Sequence, residues 1–386
     1  MAIVSRVVSG LRRCRPRSHL HAALMVVAAG LVVFTLVGLI ALWPSGREIS
    51  SPLGGVAATE SAEVTSVSGE CRNIPQAAPG EAPATTAPTC RRVHATVTSG
   101  PEEGDRAEFD VLEDIAIGPG DTIRVTPLNL PPDAVVGGVT ADAYAFADFE
   151  RRTPLLALTL VFMALVLLTA RWRGLRALVG LGASLVIVVA FIVPAILEGR
   201  SPVAVALFGS LAVMVVTITL AHGLGPKALA AMLGTAAALC LTLVLADVAV
   251  DLAHITGFAS EDVTFLRAAA DDISVRGLLL AGILIAALGV LDDLTVSQAS
   301  TVMALRGANP GLGVGQLFRR GMSVGHDHIV ATVNTLVLAY VGASLPVLLI
   351  FSLADTSFGM AINSEVVASQ VVATLVGSMG PPGDEP

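Results

Sequence analysis

The sequence predicts an α-helical multipass membrane protein with a small β-rich extracytoplasmic domain. Hydrophobic residues make up 54% of the chain and charged residues only 14%, whereas soluble domains carry about 25% charged residues. Apolar runs of the length that a bilayer core requires follow one another from residue 154 onward. Between residues 91 and 152, short alternating segments are separated by glycine and proline turns, which is typical of strands.

The N-terminal segment has the charge pattern of a signal anchor. Residues 1–19 form a basic arm that is predicted to be cytoplasmic. The uncharged run at residues 20–43 is long enough to cross a bilayer as a helix. No small-x-small cleavage site ends this run, so we expect it to be retained. The Trp43-Pro44 pair is expected to mark the membrane interface.

The soluble part divides into a linker and a domain. Residues 44–90 are rich in Pro, Ala, Ser and Thr and show little periodicity, so we interpret them as an extracytoplasmic linker. Residues 91–152 contain alternating segments, such as 92–98 and 121–125. This alternation predicts the strands of a small β-barrel or sandwich.

The four cysteines lie in different surroundings. Cys14 belongs to the basic arm and Cys240 to an apolar run, whereas Cys71 and Cys90 both belong to the soluble part. Extracytoplasmic compartments allow disulfides to form. Cys71 and Cys90 are therefore a candidate disulfide, and the alternative is two unpaired thiols.

The remaining chain, residues 154–379, is predicted to be a helical membrane domain. Inside hydrocarbon only helices satisfy their own backbone hydrogen bonds, so each apolar run predicts a helix. With the anchor, the predicted helices make about seven spans; the six that follow the anchor are residues 154–170, 174–197, 203–221, 228–250, 277–291 and 329–353. Segment 359–379 is apolar but carries polar residues, so an amphipathic or partly inserted helix is favoured over a full span.

The positive charges predict the orientation. They fall in alternate loops, which share a side with the N-terminal arm if each run crosses once: Arg171, Arg173, Arg176, Lys227, Arg306, Arg319 and Arg320. By the positive-inside rule this side is the cytoplasm. Abundant Ala, Val and Arg with almost no Lys indicate a GC-rich bacterial genome. We therefore expect a protein of the bacterial plasma membrane, with residues 44–152 outside the cytoplasm.

Ionisable residues at membrane depth are costly and suggest function. Asp292 and Asp293 stand at the predicted cytoplasmic end of a short helix, with Ser297 close behind. Adjacent helical residues point about 100° apart, so one carboxylate can face a cavity that suits a cation or proton. The alternative is a helix end followed by the cap of a second short helix at Val296–Leu305.

A second polar group precedes the last predicted span. His326, Asp327 and His328 offer two imidazoles and a carboxylate, which are transition-metal ligands. Positions i and i+2 do not share a helix face, so a polar helix entry with Asp327 as cap is the favoured interpretation. Asn334 lies deeper in the same segment and is expected to bond across helices.

Two further groups complete the candidate residues. Asp247 and Asp251 are one turn apart near the predicted outer end of a span, with His254 close by. They form either the outer mouth of a cation pathway or an interfacial helix end where the carboxylates reach water. Glu365 is a candidate for the polar site if segment 359–379 inserts.

Five segments together resemble the YibE/F family of bacterial multipass membrane proteins: 289–302 (GVLDDLTVSQASTV), 325–329 (GHDHI), 334–340 (NTLVLAY), 362–367 (INSEVV) and 374–378 (TLVGS). The resemblance covers roughly residues 90–379 and implies an N-terminal anchor, an extracytoplasmic β-rich domain and a helical membrane domain. The chain departs from the family at His326, where an arginine is usual. It also ends in Gly-Pro-Pro-Gly-Asp-Glu-Pro where the family continues with an apolar run.

These patterns favour a transporter or permease component for an unidentified small solute or ion, which agrees with the family's usual description. The alternative is a non-transporting membrane scaffold or a sensor that acts through its extracytoplasmic domain. No nucleophile set, nucleotide-binding loop or redox cysteine pair is recognisable, so we expect neither an enzyme nor a cofactor. The net charge of −8 argues against nucleic acid as a partner. The expected partners are the lipid bilayer and a small solute or cation.

Overall fold

The computed structural model describes residues 19–46, 59–69, 90–128, 135–136, 139–140, 143–258, 263–266, 273–354 and 356–378. The chain separates into two compact units. One comprises Ser51–Leu165, and the other comprises Met1–Ser50 with Val166–Pro386. The first contains the sheet and the second contains most of the helices, so the predicted fold class is confirmed.

The sheet unit is built on five antiparallel strands. They are β1 (Glu60–Ser68), β2 (Cys90–Val97), β3 (Arg106–Leu112), β4 (Thr122–Pro127) and β7 (Tyr144–Phe149). Their order is β3-β2-β1-β4-β7, and all four pairings are antiparallel. The two-residue strands β5 (Val135–Val136) and β6 (Val139–Thr140) pair with each other.

The sheet curls so that its two edge strands approach each other. The rings of Phe109 on β3 and Phe146 on β7 stack with their centroids 6.3 Å apart. Alternate side chains of β3 point inward and bury Ala107, Phe109 and Val111. The result is a partly closed five-stranded barrel with its own apolar core.

The interpretation of residues 44–90 as linker is wrong at β1. This strand lies in the middle of the sheet, between β2 and β4. Its inward positions include Ala62 and Val64, while Ser, Thr and Glu occupy most of the others. Because one buried position is the polar Glu60 and most of the remaining positions carry Ser, Thr or Glu, the composition resembles a loop, and only pairing on both sides reveals the strand.

The helical unit begins with α1 (His19–Ala41). The helices that follow are α2 (Arg152–Ile187), α3 (Val193–Leu197), α4 (Pro202–His222), α5 (Pro226–Leu252), α6 (Val275–Ala308), α7 (Val314–Ala343), α8 (Leu345–Leu353), α9 (Phe358–Asn363) and α10 (Glu365–Ser378). Within the described residues, five helical segments are long and apolar enough to cross a membrane, or six if α7 and α8, bent by 60°, form one span. The protein is therefore a multipass membrane protein.

The predicted spans 154–170 and 174–197 join without a loop. The helical segment Arg152–Leu197 has 46 residues, or about 69 Å at 1.5 Å per residue, against a hydrocarbon core of about 30 Å. The backbone leaves helical geometry at Arg171, where φ is 50° and ψ is −128°. A Cβ on Gly174 would lie 2.6 Å from the carbonyl oxygen of Val166. The helix therefore bends sharply at Arg171, and only glycine fits at position 174.

Two predicted helix boundaries are wrong. Helix α6 continues past residue 291 to Ala308, and α7 begins at Val314 instead of residue 329. The polar stretch after Asp293 does not end α6, because its hydroxyls bond to carbonyl oxygens within the same helix. Ser300 donates to Val296 at 2.6 Å and Thr301 donates to Ser297 at 3.0 Å.

The core of the helical unit lies among α4, α5 and α6, with Met214, Leu239 and Leu284 almost completely buried. Helix α10 adds Val376 to a second cluster with residues of α5 and α6. Its 14 residues extend about 21 Å, which is less than a bilayer core. The predicted segment 359–379 thus forms two short helices, α9 and α10, separated at Ser364.

Candidate polar site in the helical unit

Asp292 lies near the middle of α6 and faces α4. Its Oδ2 atom is 3.4 Å from the hydroxyl of Thr217. That hydroxyl has one hydrogen and is also 2.9 Å from the carbonyl oxygen of Val213 in its own helix. The other carboxylate oxygen, Oδ1, is buried and has no hydrogen-bond partner among the described residues. Asp292 is therefore a carboxyl group in the middle of a helix long and apolar enough to cross a membrane, with unused capacity to bind a proton or cation.

Asp293 faces a different neighbour. Its exposed carboxylate lies 3.4 Å from Nε2 of His328 on α7. The geometry of this contact falls short of a hydrogen bond, so it is an ion pair only when the imidazole is protonated. The two adjacent carboxylates thus point to α4 and α7, as the helical rotation of about 100° per residue requires.

A pair of threonines joins α5 to α6 one turn from Asp292. The Oγ1 atoms of Thr235 and Thr295 lie 2.6 Å apart. Neither this pair nor Thr217 was among the residues predicted from sequence. Isolated hydroxyls in otherwise apolar helices were the available signal, because such groups bond across helices in membranes.

Gln298 contacts the backbone of α7. With the amide oriented so that its nitrogen and its oxygen both have partners, the nitrogen donates to the carbonyl oxygen of Gly321 at 3.2 Å. The amide oxygen accepts from the N–H of Gly325 at 3.1 Å. These two backbone groups are one i to i−4 pair of a helix. A Cβ at position 325 would collide with this amide, so a side chain there would displace Gln298 from its two hydrogen bonds to α7.

The other predicted residues of this site lie elsewhere. Ser297 donates to the carbonyl of Leu294 at 3.0 Å. Asp327 is exposed within α7, so the interpretation of Asp327 as a helix cap is wrong. His326 and Asn334 are also exposed. Within the described part of the chain, no group of three His, Cys, Asp or Glu residues could hold a metal ion together.

Glu365 occupies a separate position at the start of α10. Its carboxylate accepts a hydrogen bond from the hydroxyl of Thr256, with Oε2 at 2.8 Å, and another from the N–H of Gly257. It also lines a cleft of about 390 Å³ with Tyr340 and Gln370. Its observed contacts fasten α10 to the segment that follows α5.

The predicted outer mouth is an ion-pair cluster. Arg276 on α6 places one guanidinium nitrogen 2.7 Å from Asp247 and another 2.6 Å from Asp251. Sequence reasoning did not single out this arginine. His254 adopts a positive φ of 50° just after α5. Among the described residues, no hydrogen bond or ion pair joins the imidazole of His254 to either carboxylate.

Cys90 at the start of β2 is disulfide-bonded, whereas Cys71 of the predicted pair lies outside the described residues. The pairing of these two residues therefore stays a prediction. Cys240 on α5 is a free thiol.

Residues 158–381 match the model of a protein family whose description is "YibE/F-like protein". The chain belongs to the YibE/F-like family. No curated protein and no solved structure is significantly similar to it. The matched region of this YibE/F-like chain begins in α2 and contains Asp292, Gln298, His328 and Glu365, while strands β1 to β7 precede it.

Proposed function

We propose that this YibE/F-like protein is a transporter or permease component for a small solute or ion, in which Asp292 binds the transported or coupling cation. The observation that carries the proposal is the buried Oδ1 atom of Asp292, which has no partner among the described residues. Intramembrane carboxyl groups are expensive to maintain and recur on ion pathways. The proposed role is non-enzymatic.

The ligand set narrows the class of cation. Asp292 and Thr217 offer one carboxylate and one hydroxyl, with 3.4 Å between Oδ2 and Oγ1. Metal cations such as calcium take about six to eight oxygen ligands, which is more than these two side chains supply. A proton needs only one oxygen acceptor, so it is the better fit for this pair.

A sensor or scaffold that acts through its soluble domain is the second candidate. It is favoured by the autonomy of the sheet unit, which forms its own compact unit and has a separate core that includes twelve buried residues of its described part. In that case the carboxyl at membrane depth would be dispensable, and changes on the barrel would abolish function.

The test is charge movement in proteoliposomes on a solid-supported membrane after pH, Na⁺ and K⁺ jumps. We expect the wild type to give a current with one of these cations and Asp292→Asn to lose it. Asp293→Asn is the matched control, because it removes the adjacent exposed carboxylate and should retain a current. Absence of current in the wild type, or an unchanged current in Asp292→Asn, would contradict the proposal.

We also propose that the protein lies in the bacterial plasma membrane with its N-terminus in the cytoplasm and residues 44–152 outside. The arrangement is supported by basic residues at helix ends on one side, such as Lys227 in the first turn of α5 and Arg306 in the last turn of α6. Alkaline phosphatase fused after Leu128 should be active, and the same enzyme fused after Gly311 should be inactive. The reverse pattern would refute this orientation.

A further inference from the structure

A deep apolar cleft lies between α5, α6 and α7. Its volume is about 410 Å³, and its walls include Leu294, Met303, Phe318 and Met322. On α7 its lining extends from Phe318 to Ile329, which is about 16 Å along the helix axis. This length is close to half of a bilayer core of about 30 Å, or one leaflet. The cleft therefore has the length and apolar character of an acyl-chain site.

The charge at one end of the cleft is positive. Lys227, the only lysine of the chain, lines it at the start of α5, and no Asp or Glu is among the lining residues. Within the described part of the chain, Lys227 forms no ion pair. No acidic residue occupies the first turn of α5, where the helix dipole also favours an anion.

A second positive charge lies near this end. The side chains of Lys227 and Arg176 are both close enough to His222, the last residue of α4, for their charges to act on its imidazole. Two elements, α2 and α5, thus bring positive charges to the place where the apolar cleft ends. The combination matches an amphipath with a negative head and an apolar tail.

We propose that this cleft binds an anionic phospholipid, with its phosphate at Lys227 and an acyl chain along α6 and α7. The bilayer supplies this ligand at high local concentration, and basic pockets between membrane helices are suited to anionic headgroups. The site does not include Asp292, so it is independent of the proposed transport role. Gln298, which bonds to α7, lines the same cleft, so an occupant would contact the junction of α6 and α7.

The test compares phosphatidylglycerol with phosphatidylcholine of identical acyl chains. Each lipid is titrated into the purified full-length protein in detergent, and bound copies are counted by native mass spectrometry. One favourable charge is worth about a fivefold preference, so we expect the wild type to bind phosphatidylglycerol about fivefold more tightly. Lys227→Gln should abolish the preference, and Lys227→Arg should restore it.

Two matched variants separate the site from general effects. Arg319→Gln removes one positive charge outside the cleft lining and should leave the preference intact. Ala230→Phe fills the cleft without changing charge and should weaken binding of both lipids. Thermal midpoints in phosphatidylcholine alone verify that each variant is folded. Equal binding of the two lipids by the wild type, which indicates annular lipid only, or a preference that persists in Lys227→Gln would overturn the proposal.

Discussion

Thr235 on α5 and Thr295 on α6 are joined by a hydrogen bond of 2.6 Å between their hydroxyl oxygens. Thr235 is completely buried. The hydroxyl of Thr295 lies 2.8 Å from the carbonyl oxygen of Leu291, to which it can donate. Since each hydroxyl has one hydrogen, Thr235 donates to Thr295 and Thr295 donates to its own helix. The two threonines are therefore not equivalent.

This asymmetry predicts unequal effects of the two single substitutions. Thr295→Val leaves the hydroxyl of Thr235 buried without an acceptor and should lower the free energy of unfolding by about 1–3 kcal/mol. Thr235→Val orphans no group, so it should lower that free energy by about 0.6 kcal/mol. Unfolding in mixed detergent micelles measures both values. Equal losses would show that the assigned donor direction is wrong.

A side chain at position 325 should cost stability by displacing Gln298. A Cβ there would collide with the amide of Gln298, which would then lose its bonds to the backbone of α7, at a cost of about 0.5–1.5 kcal/mol for each bond. Gly325→Ala should therefore lower the thermal midpoint. Gly289→Ala is the matched control, since a Cβ there meets nothing within 4 Å. Adding Gln298→Ala should restore part of the thermal midpoint that Gly325→Ala loses. Absence of any recovery would show that the loss does not come from the contact with Gln298.

Glu365 should hold the segment after α5 in place. Glu365→Ala removes the acceptor for Thr256 and for the N–H of Gly257, and should destabilise by about 1–3 kcal/mol. The amide of Gly257 should also exchange hydrogen faster with solvent. Ser369→Ala on the same helix is the control, because among the described residues its hydroxyl bonds to the carbonyl of Val366 within its own helix. Unchanged exchange at Gly257 in Glu365→Ala would contradict the assigned role.

The sheet unit should lose stability at alkaline pH through Tyr144. Burial, a hydrogen bond to Glu102 and nearby carboxylates raise the pKa of Tyr144 well above its ordinary value of 10.0. The folded state then retains a proton that the unfolded chain releases. The contribution of Tyr144 to stability is present below pH 10 and declines as the pH rises above it.

Tyrosinate absorbance provides the measurement, because the chain has two tyrosines. We expect the absorbance of the wild type to show a tyrosine that ionises well above pH 10. This high-pH transition should disappear in Tyr144→Phe. Above about pH 10, the stability of Tyr144→Phe should also vary less with pH than that of the wild type. Tyr340→Phe is the control and should keep the high-pH transition. A high-pH transition that persists in Tyr144→Phe would assign it to the other tyrosine.

The long apolar runs allowed α1, α4 and α5 to be predicted within about two residues at each end, since bilayer thickness sets their length. The ends of α6 and α7 were missed. Polarity suggested a break after Asp293, but intrahelical bonds such as that of Ser300 to Val296 make the polar segment compatible with a helix. Strand β1 was missed because small and polar residues provide little alternation of hydrophobicity.

By itself the sequence determined the membrane-embedded character, the family and the presence of Asp292 and Asp293 next to each other in an apolar segment. These properties follow from local composition and from residue spacing along one helix. Only the tertiary structure decided which groups meet: Thr217 at Asp292, His328 at Asp293 and Arg276 between Asp247 and Asp251. Such contacts join residues far apart in the chain, and their geometry depends on how the helices pack.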